Sequence, residues 1–311
     1  MSARDGRDGG GAWKRLPGLV DIATAADFLA GNARVLDRRR FDLLFGNGGV
    51  EPVLAAVDGY RNPDGGYGWG LEPDLRSGTS QPGGALHALE VFADVGPAAT
   101  ERAVELADWL TSVTLPDGGL PFALPLSDPA ACAPFWAGAD PTTSSLQITA
   151  IVAGAAHRAA ALIPRLSAHP WLARATTYCL RAIAGSGPAH PMELAFAVQF
   201  LDAAARSAPG ATDVLHRLRA RVPADGLLHV TGGAADEYMR PLDFAPLPGG
   251  PARTLLAPSV VDADLERLAA GQQADDGWAV DFDSYSPAAR LEWRGHRTVQ
   301  ALCLLRDNRV L

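Results

Sequence analysis

Polar side chains, acids and bases among them, gather at five places in this sequence, each just ahead of an apolar run: Gln81; Thr143 and Ser144; His190 and Glu193; Arg240 and Asp243; Arg294 and His296. His190 and Glu193 are three residues apart, on one face of a helix. That spacing suits a metal pair or an acid–base pair, and equally a cap with Glu193 on the helix dipole. The stretch Asp236 to Asp243, DEYMRPLD, sets three carboxylates and Arg240 beside Tyr238, a concentration that packing alone explains poorly. Trp293 to His296, WRGH, brings an indole, a cation and a proton carrier onto one turn; arginine over indole is also a common surface pairing. Asp140 precedes Pro141 and a Thr/Ser run. It reads either as a helix N-cap or as a general acid whose pKa burial would raise. In EPDLRSGTSQ, Glu72 and Asp74 are two further carboxylates, and Asp74 with Arg76 reads first as a loop ion pair.

The elements that must position these groups are helical. A turn signal recurs as NPDGGYGW, LPDGGLPF, PADGLLHV and ADDGWAV, with Asp64, Asp117, Asp225 and Asp276 in corresponding places. The separations are 53, 108 and 51 residues, so one degenerate unit lies in the middle gap, with GSGPAH (Gly185 to His190) as its turn. Before each turn the apolar spacing predicts an outer helix with one wet face; after each turn it predicts a more deeply buried inner helix. The expected pairs are 50–60 with 81–95, 100–114 with 142–163, 170–184 with 190–207, 212–222 with 241–256, and 260–273 with 288–306. The segment 19–45 supplies a sixth pair, and Pro246, Pro248 and Pro251 interrupt the fourth inner element. Alternating β-branched runs are missing. The fold expected is all-α: an α/α toroid of five to six hairpins over 19–311, after a flexible segment 1–18. Its long loops would gather aromatics at one mouth of a central cavity, among them Trp69, Phe135, Trp136, Tyr238, Phe244, Tyr285 and Trp293.

Composition removes several function classes. The 311 residues carry 27 basic and 35 acidic groups, a net charge of −8, which disfavours phosphate-backbone and anionic-membrane binding. Lys14 is the one lysine and sits in a Gly-rich N-terminal stretch, so neither a P-loop nor a Schiff-base cofactor site is available. Cys132, Cys179 and Cys303 are scattered, which excludes a disulfide framework and a zinc ribbon. The N-terminus has no apolar signal region, and no apolar run is long enough to span a bilayer, so a cytoplasmic protein is expected.

The motifs PDGGYGW at 63–69 and QQADDGW at 272–278 resemble the Gln/Trp-type repeat of the squalene–hopene cyclase and protein-prenyltransferase superfamily. The resemblance runs from about residue 46 to 311 and implies turns that link an outer helix to an inner one. Of the Asp-x-Asp-Asp acid motif of class II terpene cyclases, GADPTTSSLQITA keeps one aspartate, Asp140, and EPDLRSGTSQ, with Glu72 and Asp74, is a second partial echo. His296 stands where a prenyltransferase zinc histidine would, but no Asp-x-Cys occurs, and no cysteine adjoins a histidine as lanthipeptide cyclases require. Cys303 lies seven residues beyond His296, too far along a helix for both to bind one zinc.

These readings imply an isoprenoid-type enzyme, terpene cyclase-like or prenyltransferase-like, starting carbocation chemistry by acid on a polyprenyl substrate, with no cofactor and no metal. Asp140 is the first candidate acid and Asp243 the second, with Glu193 and His296 as further catalytic candidates. Trp69, Asp74, Arg76, Gln81, Trp136, His190, Tyr238, Arg240, Phe244, Trp293 and Arg294 are the expected lining. Two alternatives stay open: a carbohydrate-active toroid using a carboxylate pair such as Glu193 and Asp243, and a non-catalytic scaffold for a small molecule or a partner protein.

Overall fold

A computed structural model describes residues 20–311; the expected flexible segment 1–18, with Lys14, lies outside the described residues. The chain is mostly helical. In order, the helices are α1 (Ile22–Asn32), α2 (Val35–Phe45), α3 (Val50–Asp58), α4 (Pro82–Val95), α5 (Thr100–Val113), α6 (Pro134–Ala137), α7 (Leu146–Ala160), α8 (Pro164–Ser167) and α9 (Pro170–Ala184). There follow α10 (Pro191–Ala204), α11 (Ala211–Leu218), α12 (Pro241–Phe244), α13 (Pro258–Ala269) and α14 (Pro287–Asp307). The abundant prolines start elements rather than break them. Eight helices open on one, where the missing N–H is an orphan in any case. The sheet content described is one two-residue antiparallel pair, β1 (Leu228–His229) with β2 (Tyr238–Met239).

Five of the six expected helix pairs are present as neighbours; the exception is α5, expected against α7, which packs on α4, α8 and α9 instead. α7 packs between α4 and α10 and on α9 behind it; α5 packs on α4, and α11 on α10. α7 is buried over almost its whole length, as an inner helix must be, whereas α9 and α11 bury one face only. Close approach of α7 and α10 depends on small residues: a Cβ on Gly154 would lie 3.3 Å from the Cα of Phe200. The fourth inner element is broken where the prolines fall, into α12 and the 3-10 turn Pro251–Leu255. The last helix, α14, packs on α13 and also on α1 and α2, so the C-terminal pair meets the N-terminal one. Among the described residues no helix is long and apolar enough to cross a membrane.

The repeated turns share one hydrogen-bond pattern. The carboxylates of Asp64, Asp117 and Asp225 each accept the amide two residues on, at 2.9, 3.1 and 3.1 Å, and the next residue is a glycine with positive φ. Asp64 and Asp117 also accept the hydroxyls of Ser80 and Ser144, at 2.7 and 2.6 Å, just before α4 and α7. These two turns thus tie the segments that follow α3 and α5 to the starts of α4 and α7. In the fourth turn the register differs from the sequence expectation. Asp275, not Asp276, faces the amide of Gly277 and is gripped by Arg294 at 2.6 and 2.7 Å. Asp276 takes the left-handed glycine position, φ +69°. The Gly185 to His190 segment has a positive-φ Gly187 but no aspartate turn. Asp276→Gly is therefore expected to raise unfolding free energy by about 0.5–1 kcal/mol, because a side chain in that region is strained. Asp275→Ala is expected to lower it by about 0.5–1 kcal/mol through loss of the half-exposed ion pair with Arg294. Urea denaturation of the two variants checks the register; the opposite order of effects would restore Asp276 as the turn residue.

Candidate active site

α4 runs PGGALHALEVFADV, with only a few positions not buried by neighbouring helices. His87 and Glu90 share one face of it, three residues apart. His87 is 6% exposed and has a carboxylate on each ring nitrogen: Glu72 Oε2 lies 2.9 Å from Nε2, and Glu90 Oε2 lies 2.8 Å from Nδ1. Glu72 comes from the loop before α4 and is itself fixed, its Oε1 accepting the Asp74 amide at 3.2 Å. From α14, His296 brings Nε2 to 4.0 Å from the same Glu90 oxygen. From α2, Arg40 places Nη1 3.4 Å from His296 Nδ1, while its Nε donates to Asp94 at 2.8 Å. Asp37, fully buried, takes two bonds from Arg34 at 2.8 and 3.2 Å. Trp293 covers this centre edge-on, 5.6 Å from His87 and 5.8 Å from His296 between ring centres, with Phe282 against its other side at 5.2 Å.

The electrostatics follow from the contacts. Burial alone would push the His87 pKa down; the charges and hydrogen bonds of Glu90 and Glu72 outweigh it and raise the value to about 9. Burial would raise Glu90, but His87, with His296 and Arg40 beyond, holds its carboxyl well below the usual range. His296 goes the other way, to about 3, chiefly because it is buried, with His87 and Arg40 adding to the effect. Near neutral pH the centre thus holds one imidazolium and one neutral imidazole. The tautomer of His296 is fixed by its neighbour. A guanidinium only donates, so Nδ1 accepts from Arg40 and Nε2 carries the proton toward Glu90.

His87, Glu90 and His296 are also the three residues that could hold a metal ion, with ligand atoms all within 4.8 Å of one another. The donor set fits that role poorly. A metal on His296 Nε2 would need its Nδ1 protonated, two donors would then face each other across the Arg40 contact, and a second cation would sit beside the guanidinium. The arrangement suits protons better than an ion.

Of the residues expected from the sequence, Trp293 and His296 meet here with Glu72. Asp74 lies alongside, buried, accepting from Trp293 Nε1 and from the Tyr285 amide at 2.8 Å each. It is not paired with Arg76, which bonds Glu292 at 2.6 Å, so the loop ion pair is corrected. Asp140 does not belong to the centre. It is exposed and accepts from the Thr142 amide and the hydroxyls of Thr142 and Thr143 at 2.6–2.8 Å, bonds that hold its pKa near 2. The cap of α7 is Ser145 instead. Nor do His190 and Glu193 form a catalytic or metal pair: Glu193 accepts the amides of Ala189 and His190, His190 Nδ1 accepts that of Met192, and together they cap α10. Asp243 caps α12 by accepting the Arg240 amide at 2.8 Å, and burial raises its pKa.

Most of the remaining residues hold loops. Gln81, buried, exchanges bonds with the backbone of Leu124 at 2.8 and 3.1 Å. Arg240 pairs with Asp281 and leans over Tyr238, and Phe244 is core. Trp69 is exposed, φ +57°, its indole N–H on Asn62. Trp136 stacks on Phe122 at 4.7 Å with its indole N–H unpartnered. Arg294 is engaged by Asp275 and lies over Phe28. The sequence reading missed His87, Glu90, Arg40 and Asp94; the His-x-x-Glu spacing at 87–90 was the available signal.

No protein-family model and no curated protein matches this chain. Among solved structures it is similar to one described as the crystal structure of a protein from Actinoplanes, with a TM-score of 0.54 over 92% of this chain and 98% of that one. Sequence identity is 17%, so the likeness speaks for the fold alone.

Proposed function

We propose that the helical pairs close into a single-domain α/α toroid, and that the charged centre on its inner helices is the active site of an isoprenoid-type enzyme with His87, not Asp140, as the proton carrier. Support for closure comes from the packing of α14 on α1 and α2. The observation that carries the chemistry is His87 clamped between Glu72 and Glu90 beneath the Trp293–Phe282 pair.

An imidazolium of pKa about 9 is too weak an acid to protonate an isolated alkene. It is suited to assist the departure of an oxygen group. In that step the allylic C–O bond breaks with its electron pair on oxygen, and the Nδ1 proton of His87, held by Glu90 Oε2, passes through that carboxylate to the departing oxygen. The allylic cation left behind faces the aromatic rings of Trp293 and Phe282. Water captures the cation, and the proton that water then sheds passes through Glu90, the more open of the two carboxylates, to restore the imidazolium.

A carbohydrate reading is favoured by one observation, the charge of the centre, in which two carboxylates flank a single imidazole. Incubating the purified protein with polyprenyl alcohols and phosphates and, separately, with oligosaccharides, followed by mass spectrometry, tests both. The expected result is conversion of a polyprenyl compound that His87→Gln loses by at least ~100-fold and Asp140→Asn retains. Conversion of a sugar alone would transfer the site to the second reading. Equal activity of His87→Gln and wild type would remove His87 from the reaction.

A further inference from the structure

Among the described residues one partly buried charge has no partner. Arg158 stands in the last turn of α7, on the face it shares with Gln147 and Ile151. That face looks toward the neighbouring inner helices: Gln147 reaches Met192 of α10, and the Arg158 charge is felt by Glu90 and Asp94 of α4 and by Asp202 of α10. Yet its guanidinium makes no hydrogen bond or ion pair among the described residues. Every other buried or half-buried arginine there donates to a side chain or a carbonyl, as Arg34, Arg40, Arg102 and Arg253 do. The other arginines without a side-chain bond, Arg206, Arg217, Arg290 and Arg309, are all exposed to solvent, which supplies their partners.

The acids around Arg158 are already engaged. Glu90 serves His87, Asp94 serves Arg40, and Asp202 accepts the Ala252 amide at 2.7 Å. A guanidinium presents five donors in a planar fork and accepts nothing. Partly buried, with its nitrogens still open to solvent, the guanidinium is available to a ligand, and burial lowers its pKa in spite of the three acids. The group that fits such a fork is a planar or tetrahedral oxyanion, bound through two parallel N–H···O bonds.

We propose that Arg158 anchors the oxyanion, phosphate or carboxylate, of the ligand that enters the centre. The inference rests on the centre being a ligand site, as proposed above, but not on the chemistry assigned to His87. Thermal denaturation in increasing inorganic phosphate, or increasing acetate, at ionic strength matched with sodium chloride, tests it. A saturable rise in melting temperature is expected with at least one of the two anions, and which one gives the stronger rise identifies the anion class. Arg158→Gln should weaken the apparent affinity at least about tenfold. Arg217→Gln should leave it unchanged, and because anion binding is read without turnover, its outcome is separate from that of the catalytic reading. Without added anion, Arg158→Met should melt at or above the wild-type temperature, because an unpaired cation is removed from a partly buried site. No saturable rise in wild type with either anion would overturn the inference. So would unaltered affinity in Arg158→Gln, or an Arg158→Met variant that melts below wild type without anion.

Discussion

Stability of this protein is expected to peak near pH 6.5 and to fall by about 3 kcal/mol between pH 6.5 and 9. The fall belongs to His87. Its folded pKa, about 9, lies above the ordinary histidine value, so its contribution is complete below pH 6.5 and is lost as pH rises through 9. The groups that face it are Glu72 from the preceding loop, Glu90 on its own helix and His296 from α14. On the acid side His296 and His157 have the opposite sign. Burial depresses them to about 3 and about 4, so the folded state resists protonation that the unfolded chain accepts, and stability declines as pH drops below 6.5. Urea denaturation across pH 5 to 9.5 measures both limbs. In His87→Gln the alkaline limb should flatten while the acid limb persists. A wild-type stability that is level between pH 6.5 and 9 would mean that His87 is neutral in the folded protein.

Arg40→Met is expected to destabilise the fold by about 3–5 kcal/mol, the range for removing one partner from a buried ion pair. Arg40 is 7% exposed and bonds Asp94 through Nε, so its loss strands a carboxylate between α2 and α4 and leaves His296 Nδ1 without its donor. The double variant Arg40→Met with Asp94→Leu should recover most of that loss, because the stranded charge goes with it. Since Arg40 also depresses the His296 pKa, the single variant should shift the acid limb to higher pH. A loss below about 1 kcal/mol would place the pair among solvent-screened ion pairs.

The helical pairs are legible in the sequence because period and turn chemistry are local properties. The Asp-Gly turns, the apolar stripes of α5 and α9, and the prolines of the fourth inner element each act within a few residues. Even there, one residue of register is lost in ADDGW, where two adjacent aspartates compete and only the tertiary contact with Arg294 selects Asp275. The centre is legible only in part. Trp293 and His296 stand out in the WRGH motif and Glu72 in the EPDLRSGTSQ loop, although the two aromatic rings fall within the body of α14 rather than at its expected start. His87 and Glu90 lie equally deep in α4, in a run that reads as core. His190–Glu193 carries the same spacing as His87–Glu90. What separates a cap from a buried centre is the partner: backbone amides for Glu193, and for His87 a carboxylate fifteen residues earlier, with a second imidazole from the far end of the chain beside it. Asp140 fails as an acid for a related reason: two threonines that follow it satisfy its carboxylate locally, so nothing draws it inward.

The claim on which the account turns is that His87 is an imidazolium in the folded protein at neutral pH while His296 is a neutral ring protonated on Nε2. Nitrogen-15 chemical shifts of the histidine rings, followed from pH 5 to 10 and assigned with His87→Gln and His296→Gln, read this directly. Both His87 nitrogens should show imidazolium shifts at pH 7.5 and titrate near pH 9, and His296 should show one pyrrole-like and one pyridine-like nitrogen with no titration above pH 5. A His87 ring that is neutral at pH 7.5 would contradict the account.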